Sequence, residues 1–158
     1  MLEQFFAWCY STPVLAILRD SRYGMPISQS FHIFGITVLL GSAVACNLRL
    51  TGIGFVETPL TRLAGDLWPW VKRALVLTVV TGILVFIVDP SRYYVNVSFR
   101  AKMLCLIAAI VFQFTIFKRT VTSEAGESLP AWKRWLIATV SLTLWFGVGW
   151  AGRFIAFL

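Results

Sequence analysis

Residues 26–50 read PISQSFHIFGITVLLGSAVACNLRL, and from Phe31 to Leu48 they include no Lys, Arg, Asp or Glu. An uncharged run of that length has the dimensions of a helix crossing a bilayer. The same run holds the single histidine of the chain, His32. A titratable side chain inside such a run is costly in lipid, which makes it a functional-site candidate. Gly35 stands three residues after His32, and Ser42 follows seven residues after Gly35 on the same helical face. Small residues on one face let a neighbouring helix or a flat ligand come close to the backbone.

Composition extends this reading to the whole chain. Of 158 residues, 58% are hydrophobic and 13% are charged. Soluble domains carry roughly 25% charged residues, so the charge here is about half of what a water-facing surface uses. The net charge of +7 does not indicate nucleic acid, because the basic residues sit at the ends of apolar runs, where membrane proteins place them. The expected fold is all-α: an integral membrane four-helix bundle forming one domain over residues 1–158. Its spans are expected at about 27–49, 69–88, 99–117 and 132–156.

An amphipathic segment at 1–22 precedes the first span. Leu2, Phe5, Phe6 and Cys9 share one helical face, and Thr12-Pro13 reads as an N-cap followed by proline at the first helical position. Two short helices lying in the membrane interface are expected there. Glu3 stands where a signal peptide would carry a basic residue, so a cleaved signal is not expected. The second span opens with Trp68-Pro69-Trp70-Val71-Lys72-Arg73 and the fourth with Trp132-Lys133-Arg134-Trp135, both boundary patterns of aromatic residues and cations. The second span ends at Asp89-Pro90. The connector TVTSEAGESLP reads as a plain loop, and Asn96-Val97-Ser98 as a sequon too close to the membrane to matter.

Orientation follows from counting cations. Connectors 1–2 and 3–4 carry eight: Arg49, Arg62, Lys72, Arg73, Lys118, Arg119, Lys133 and Arg134. The opposite side carries six: Arg19, Arg22, Arg92, Arg100, Lys102 and Arg153. Cytoplasmic loops hold the excess, so both termini are expected on the outer side of the membrane.

With that topology one leaflet gathers His32, Met25, Asp89, Arg100, Lys102 and Met103. Three readings of His32 stay open. It can bind haem b, with Gly35 admitting the porphyrin and Met103 or Met25 as a second axial ligand. It can bind copper together with Met25 and Met103, since imidazole and thioether suit Cu(I). It can also hydrogen-bond a neighbouring helix and only pack. Asp89, Arg100 and Lys102 form a candidate ion pair or polar cluster between spans two and three. Cys9, Cys46 and Cys105 are scattered and show no CxxC spacing, which argues against a disulfide framework. Gly147-Val148-Gly149-Trp150-Ala151-Gly152 reads GxGxxG, but it lies inside an apolar span, where the dinucleotide fingerprint does not belong. These glycines are instead expected to form a helix-packing face. No Ser/His/Asp set, metal-protease motif, phosphate loop or carboxylate dyad emerges, so hydrolytic catalysis is not expected.

The pattern FHIFGITVLLGS, NLRLTG, WPWVKRALVLTVVTGILVFIVDPSRYYVN and FRAKMLCL resembles a family of small bacterial inner-membrane proteins of uncharacterised function. The resemblance covers about residues 26–118. It implies a histidine at the position of His32 and matching Asp-Pro and Arg-x-Lys positions at Asp89-Pro90 and Arg100-Ala101-Lys102. Some members have a second histidine where this chain has Lys118, and that departure weakens a two-histidine site. A fainter likeness is to copper-resistance membrane proteins of the D type. The resemblance supplies no activity; from the residues themselves, the function expected is a cofactor pocket around His32 serving electron transfer or metal handling. The alternative is a structural or assembly subunit, as a homo-oligomer or with other membrane subunits, in which His32 only packs.

Overall fold

The computed structural model describes Gln4, Trp8 and residues 11–88 and 90–155. The face made by Leu2, Phe5, Phe6 and Cys9 lies outside the described residues, as does Asp89. The described chain is predominantly helical, with no strand among the described residues. Four helices are long and apolar enough to cross a membrane, so the protein is an all-α, multi-pass membrane bundle.

Helix α1 (Pro13–Asp20) begins with Thr12 at the N-cap and Pro13 in its first turn. A break at 21–23 leads into α2 (Gly24–Thr51), the first span. It stops at Gly52, whose φ of 79° is the left-handed conformation a side chain resists. There the Gly52 N–H donates to the Arg49 carbonyl and the Ile53 N–H to the Leu48 carbonyl, which satisfies the exposed end of the helix.

The second span, α3 (Leu60–Val88), starts well before position 69. Pro69 sits inside it rather than at its start. Proline cannot donate to the Gly65 carbonyl, but Gly65 is exposed at the boundary, where water can take that role. A short helix, α4 (Pro90–Val95), fills the turn between spans two and three. Asn96 then caps α5 (Val97–Phe112), its Oδ1 accepting from the Phe99 N–H at 3.1 Å. Its Nδ2 reaches the Ile155 carbonyl at 3.4 Å. The sequon asparagine is thus a buried cap.

The third span continues from α5 through a π-helical turn (Gln113–Phe117) into α6 (Lys118–Thr122). The following connector is more than a plain loop. It holds α7 (Ala125–Ser128), with Gly126 pressed so closely on the Thr120 carbonyl that no Cβ would fit. The fourth span is α8 (Ala131–Phe154).

In the bundle, α2 packs along both α3 and α8, and α5 packs along α8. The second span meets the third mainly at α6, near the connectors. Spans two and three therefore diverge toward the other end. One buried cluster, Leu50, Leu60, Ala64, Phe117, Val121 and their neighbours, closes the connector end. A second, including Leu39, Ala43, Ala74, Ala109 and Trp145, fills the middle. Beyond it the space between the diverging spans is open.

Candidate functional site

The opening between the spans is built around His32. On α2 it lies about two turns into the helix, and its partner is on α3: Nδ1 is 3.0 Å from Thr81 Oγ1. The proton inventory at this contact decides the tautomer. A threonine hydroxyl has one proton, and Thr81 Oγ1 lies within reach of the Leu77 carbonyl at 2.7 Å and of the Thr78 carbonyl at 3.3 Å. Where that hydroxyl donates to a carbonyl, the ring donates from Nδ1 to Thr81 Oγ1. That leaves Nε2 with its lone pair free for a ligand, the arrangement in which a hydrogen bond on one ring nitrogen orients the other.

Gly82 makes room for the ring. A Cβ added there would sit 3.1 Å from His32 Cε1 and 3.6 Å from Nδ1, so the imidazole would have to give way. Adjacent residues of α3, Thr81 and Gly82, thus supply the hydrogen bond and the space.

His32 lines two adjoining cavities. The inner one, of about 320 Å³, is walled by Leu39, Val79, Ile83, Met103 and Leu106, with Trp145 at its inner end. The outer one, of about 500 Å³, runs to Gln29, Tyr93 and Arg153 at the helix ends. His32, Gly82, Phe86, Phe99, Lys102 and Gly149 border both, so the two form one cleft. It is apolar inside and polar at its mouth. Phe86 and Phe99 stack at 5.3 Å between ring centroids, bridging spans two and three. Both volumes fall in the range of roughly 300–1,000 Å³ typical of small-molecule sites.

The structure sorts the residues singled out above. Lys102 and Met103 border the cleft beside His32. Among the described residues no acid lines it, and Lys102 has no ion-pair partner. Arg100 is exposed and lines neither cavity. The expected cluster with Asp89 lies partly outside the described residues. Met25 also lines neither cavity. Gly35 is buried and faces α3: its added Cβ would be 2.5 Å from Thr78 Oγ1 and 3.3 Å from the Ala74 carbonyl. It serves the close approach of two helices rather than the cleft.

The three glycines of α8 divide in the same way. Gly147 faces Cys105 Sγ, Gly152 faces the Lys102 side chain at the border of the outer cavity, and Gly149 has open space before it and borders both cavities. Among the described residues, no group of three or more His, Cys, Asp or Glu side chains converges to hold a metal ion.

Thr81, Gly82 and the Phe86–Phe99 pair escape a reading of the sequence alone. Gln113 does too. It is buried, opens the π-helical turn, and accepts from Trp145 Nε1 at 3.2 Å just inside the cleft. A glutamine in an otherwise apolar span was its signal, since π-turns often accompany functional sites.

A model of the family described as Family of unknown function (DUF6644) matches residues 5–158, and the chain belongs to that family. No curated protein and no solved structure matches the chain.

Proposed function

We propose that this family member is a membrane-embedded cofactor-binding protein whose cleft takes haem b, with His32 as an axial ligand, for electron transfer or metal handling. The observation that carries the reading is His32 itself, lining the cleft with Nδ1 3.0 Å from Thr81 Oγ1; with Nδ1 as the proton donor there, Nε2 carries the lone pair that would bind the iron. The other lining residues suit the same ligand. Met103 offers a thioether as a second axial donor. Gly149 leaves an open wall, and Phe86 and Phe99 offer aromatic surface for a macrocycle to lie against. Lys102 supplies a cation for a propionate at the polar mouth. When bound, the iron would supply a one-electron redox centre. The chain's part is to orient the imidazole, exclude water and neutralise the carboxylates.

Copper suits the residues less well. Met25 lies outside the cleft, and Cys105 is turned to Gly147, so soft donors do not gather around His32. A scaffolding role through the α8 glycines has less support as well, because Gly147 and Gly152 are occupied within the protomer. The eight-to-six excess of cations at the connectors supports an orientation with the connectors in the cytoplasm and the cleft on the outer side, which is the periplasm if the membrane is a bacterial inner one.

The test is an oxidised-minus-reduced absorption spectrum of detergent-purified protein, before and after titration with haemin, with metal analysis on the same sample. The expected result is a Soret band with iron near one per chain. His32→Ala should lose that band while its far-ultraviolet circular dichroism stays helical. Wild-type protein that remains colourless after haemin addition, or a variant that keeps the band, would overturn the assignment.

A further inference from the structure

A second site lies on the outside of the bundle, at its other end and on a different face. Along α3, Pro69, Lys72, Arg73, Val76, Leu77 and Val80 border an open groove of about 690 Å³. Their spacing of three and four residues makes a single stripe. Its two ends differ in chemistry. Lys72 and Arg73 are exposed at the boundary marked by Trp68 and Trp70, with Arg73 resting 5.7 Å from the Trp70 ring centroid. Among the described residues neither cation has an ion-pair partner. The remainder is apolar, and Val76 and Val80 are 63% and 51% exposed. From Lys72 to Val80 the helix rises about 12 Å, enough to follow the upper part of an acyl chain.

We infer that this groove binds one anionic phospholipid, its phosphate on Lys72 and Arg73 and an acyl chain along Val76 and Val80. Charge complementarity selects the occupant: two adjacent cations at headgroup level attract a negative headgroup, whereas a zwitterionic one presents its own cation to them. The apolar stripe below them selects a lipid over a free phosphate. A groove beneath the cations sets this part of the basic boundary apart. The Lys133-Arg134 pair of α8, which lies between Trp132 and Trp135, borders neither this groove nor the cleft.

The experiment is native mass spectrometry of the detergent-solubilised full chain, titrated with phosphatidylglycerol or phosphatidylcholine of matched chains. Wild-type protein should hold one phosphatidylglycerol in preference to phosphatidylcholine. The K72Q/R73Q variant should lose roughly tenfold or more of that preference, as expected for two interfacial cations. Val80→Trp should weaken phosphatidylglycerol binding by filling the groove while leaving the cations in place. These side chains are exposed, so circular dichroism should show unchanged helix content. Equal retention of both lipids by wild-type protein would overturn the inference. So would loss of preference in K133Q/R134Q but not in K72Q/R73Q, or equally effective competition by glycerol 1-phosphate, which has no acyl chain. The readout is independent of His32 and of haem.

Discussion

The two ends of the bundle are held together in different ways. At the connector end the helices are locked. Leu50, Leu60, Phe117 and Val121 are each at most 1% exposed, and an ionic clasp lies over them. Arg49 donates from Nη2 to Glu127 Oε1 at 2.9 Å and from Nε to the Thr58 carbonyl at 2.5 Å. The same Glu127 oxygen accepts from the Leu60 N–H at 2.6 Å. A carboxylate from the last connector therefore caps the start of the second span, where the helix has unsatisfied N–H groups. At the cleft end spans two and three separate, and a cavity stands where the core would continue. The difference teaches where rigidity and access are divided. One end fixes the relative positions of the four helices, and the other leaves a cleft between them.

The largest effect that would break this division is at Gly35. It lies between the two ends, and its neighbours leave no room: Thr78 Oγ1 at 2.5 Å from an added Cβ is far inside normal contact. Gly35→Leu should separate α2 from α3 and destabilise the protein by about 3 kcal/mol, the upper range of overpacking. It should also disturb the His32–Thr81 pair one turn away. Gly149→Ala, with open space before it, should leave stability unchanged and reduce only haem binding. Unfolding in detergent, followed by circular dichroism, compares the two. Equal stability losses would mean that the cleft end is as tightly packed as the rest.

Next in size is the clasp. Glu127→Ala should cost about 2 kcal/mol, because it leaves the Arg49 side chain, 14% exposed, without its counter-charge and the Leu60 N–H without its acceptor. Partial exposure of Glu127 keeps the figure below that of a fully buried pair. Glu124→Ala, in the same connector, should change stability by less than about 0.5 kcal/mol. The haem spectrum should be the same in both variants. A shifted spectrum in Glu127→Ala would mean that the connector end and the cleft are coupled.

The third effect belongs to the cleft alone. Thr81→Val removes the acceptor that orients His32 while keeping the shape of the side chain. Loss of such a supporting hydrogen bond typically weakens metal binding by about 10- to 100-fold. Haemin titration should show that loss with little change in melting temperature. Unaltered affinity would remove the tautomer argument.

How much of this was legible in the sequence depends on the range of the interaction. The four spans were, because each is a local run of apolar residues. Their starts were less so. The stretch from Leu60 to Trp68 joins α3 because the helix tolerates Pro69 at a wet boundary, which no window of hydropathy reports. His32 announced itself as the lone histidine in a charge-free run. Its partner did not, since Thr81 is 49 residues away and only the packing register of α2 on α3 brings them together. Glycine spacing marked close approaches but not what approaches: Gly35 faces a helix, and Gly149 faces the cleft. Glu127 looked like an ordinary loop acid because its targets, Arg49 and Leu60, flank the other connector at this end.

The smallest expected effect is the most demanding test of the locked end. Asn47 is 1% exposed, and its Nδ2 donates to the Ala43 carbonyl at 2.8 Å and to Ser141 Oγ at 3.1 Å, tying α2 to α8. An interhelical hydrogen bond within a membrane is worth only about 0.6 kcal/mol on average. The other amide atom, Oδ1, is buried with no hydrogen-bond partner among the described residues. A buried orphan acceptor costs about 1–3 kcal/mol, which offsets or exceeds what the Nδ2 hydrogen bonds contribute. Asn47→Leu replaces both with an apolar side chain of similar volume and should shift stability by less than about 1 kcal/mol in either direction. A loss well above that, in the same detergent unfolding assay, would mean that Oδ1 is engaged by a water or a ligand. The polar groups Asn47 and Ser141 would then extend the cleft inward, and the locked end would begin nearer the connectors, at Leu50 and the clasp.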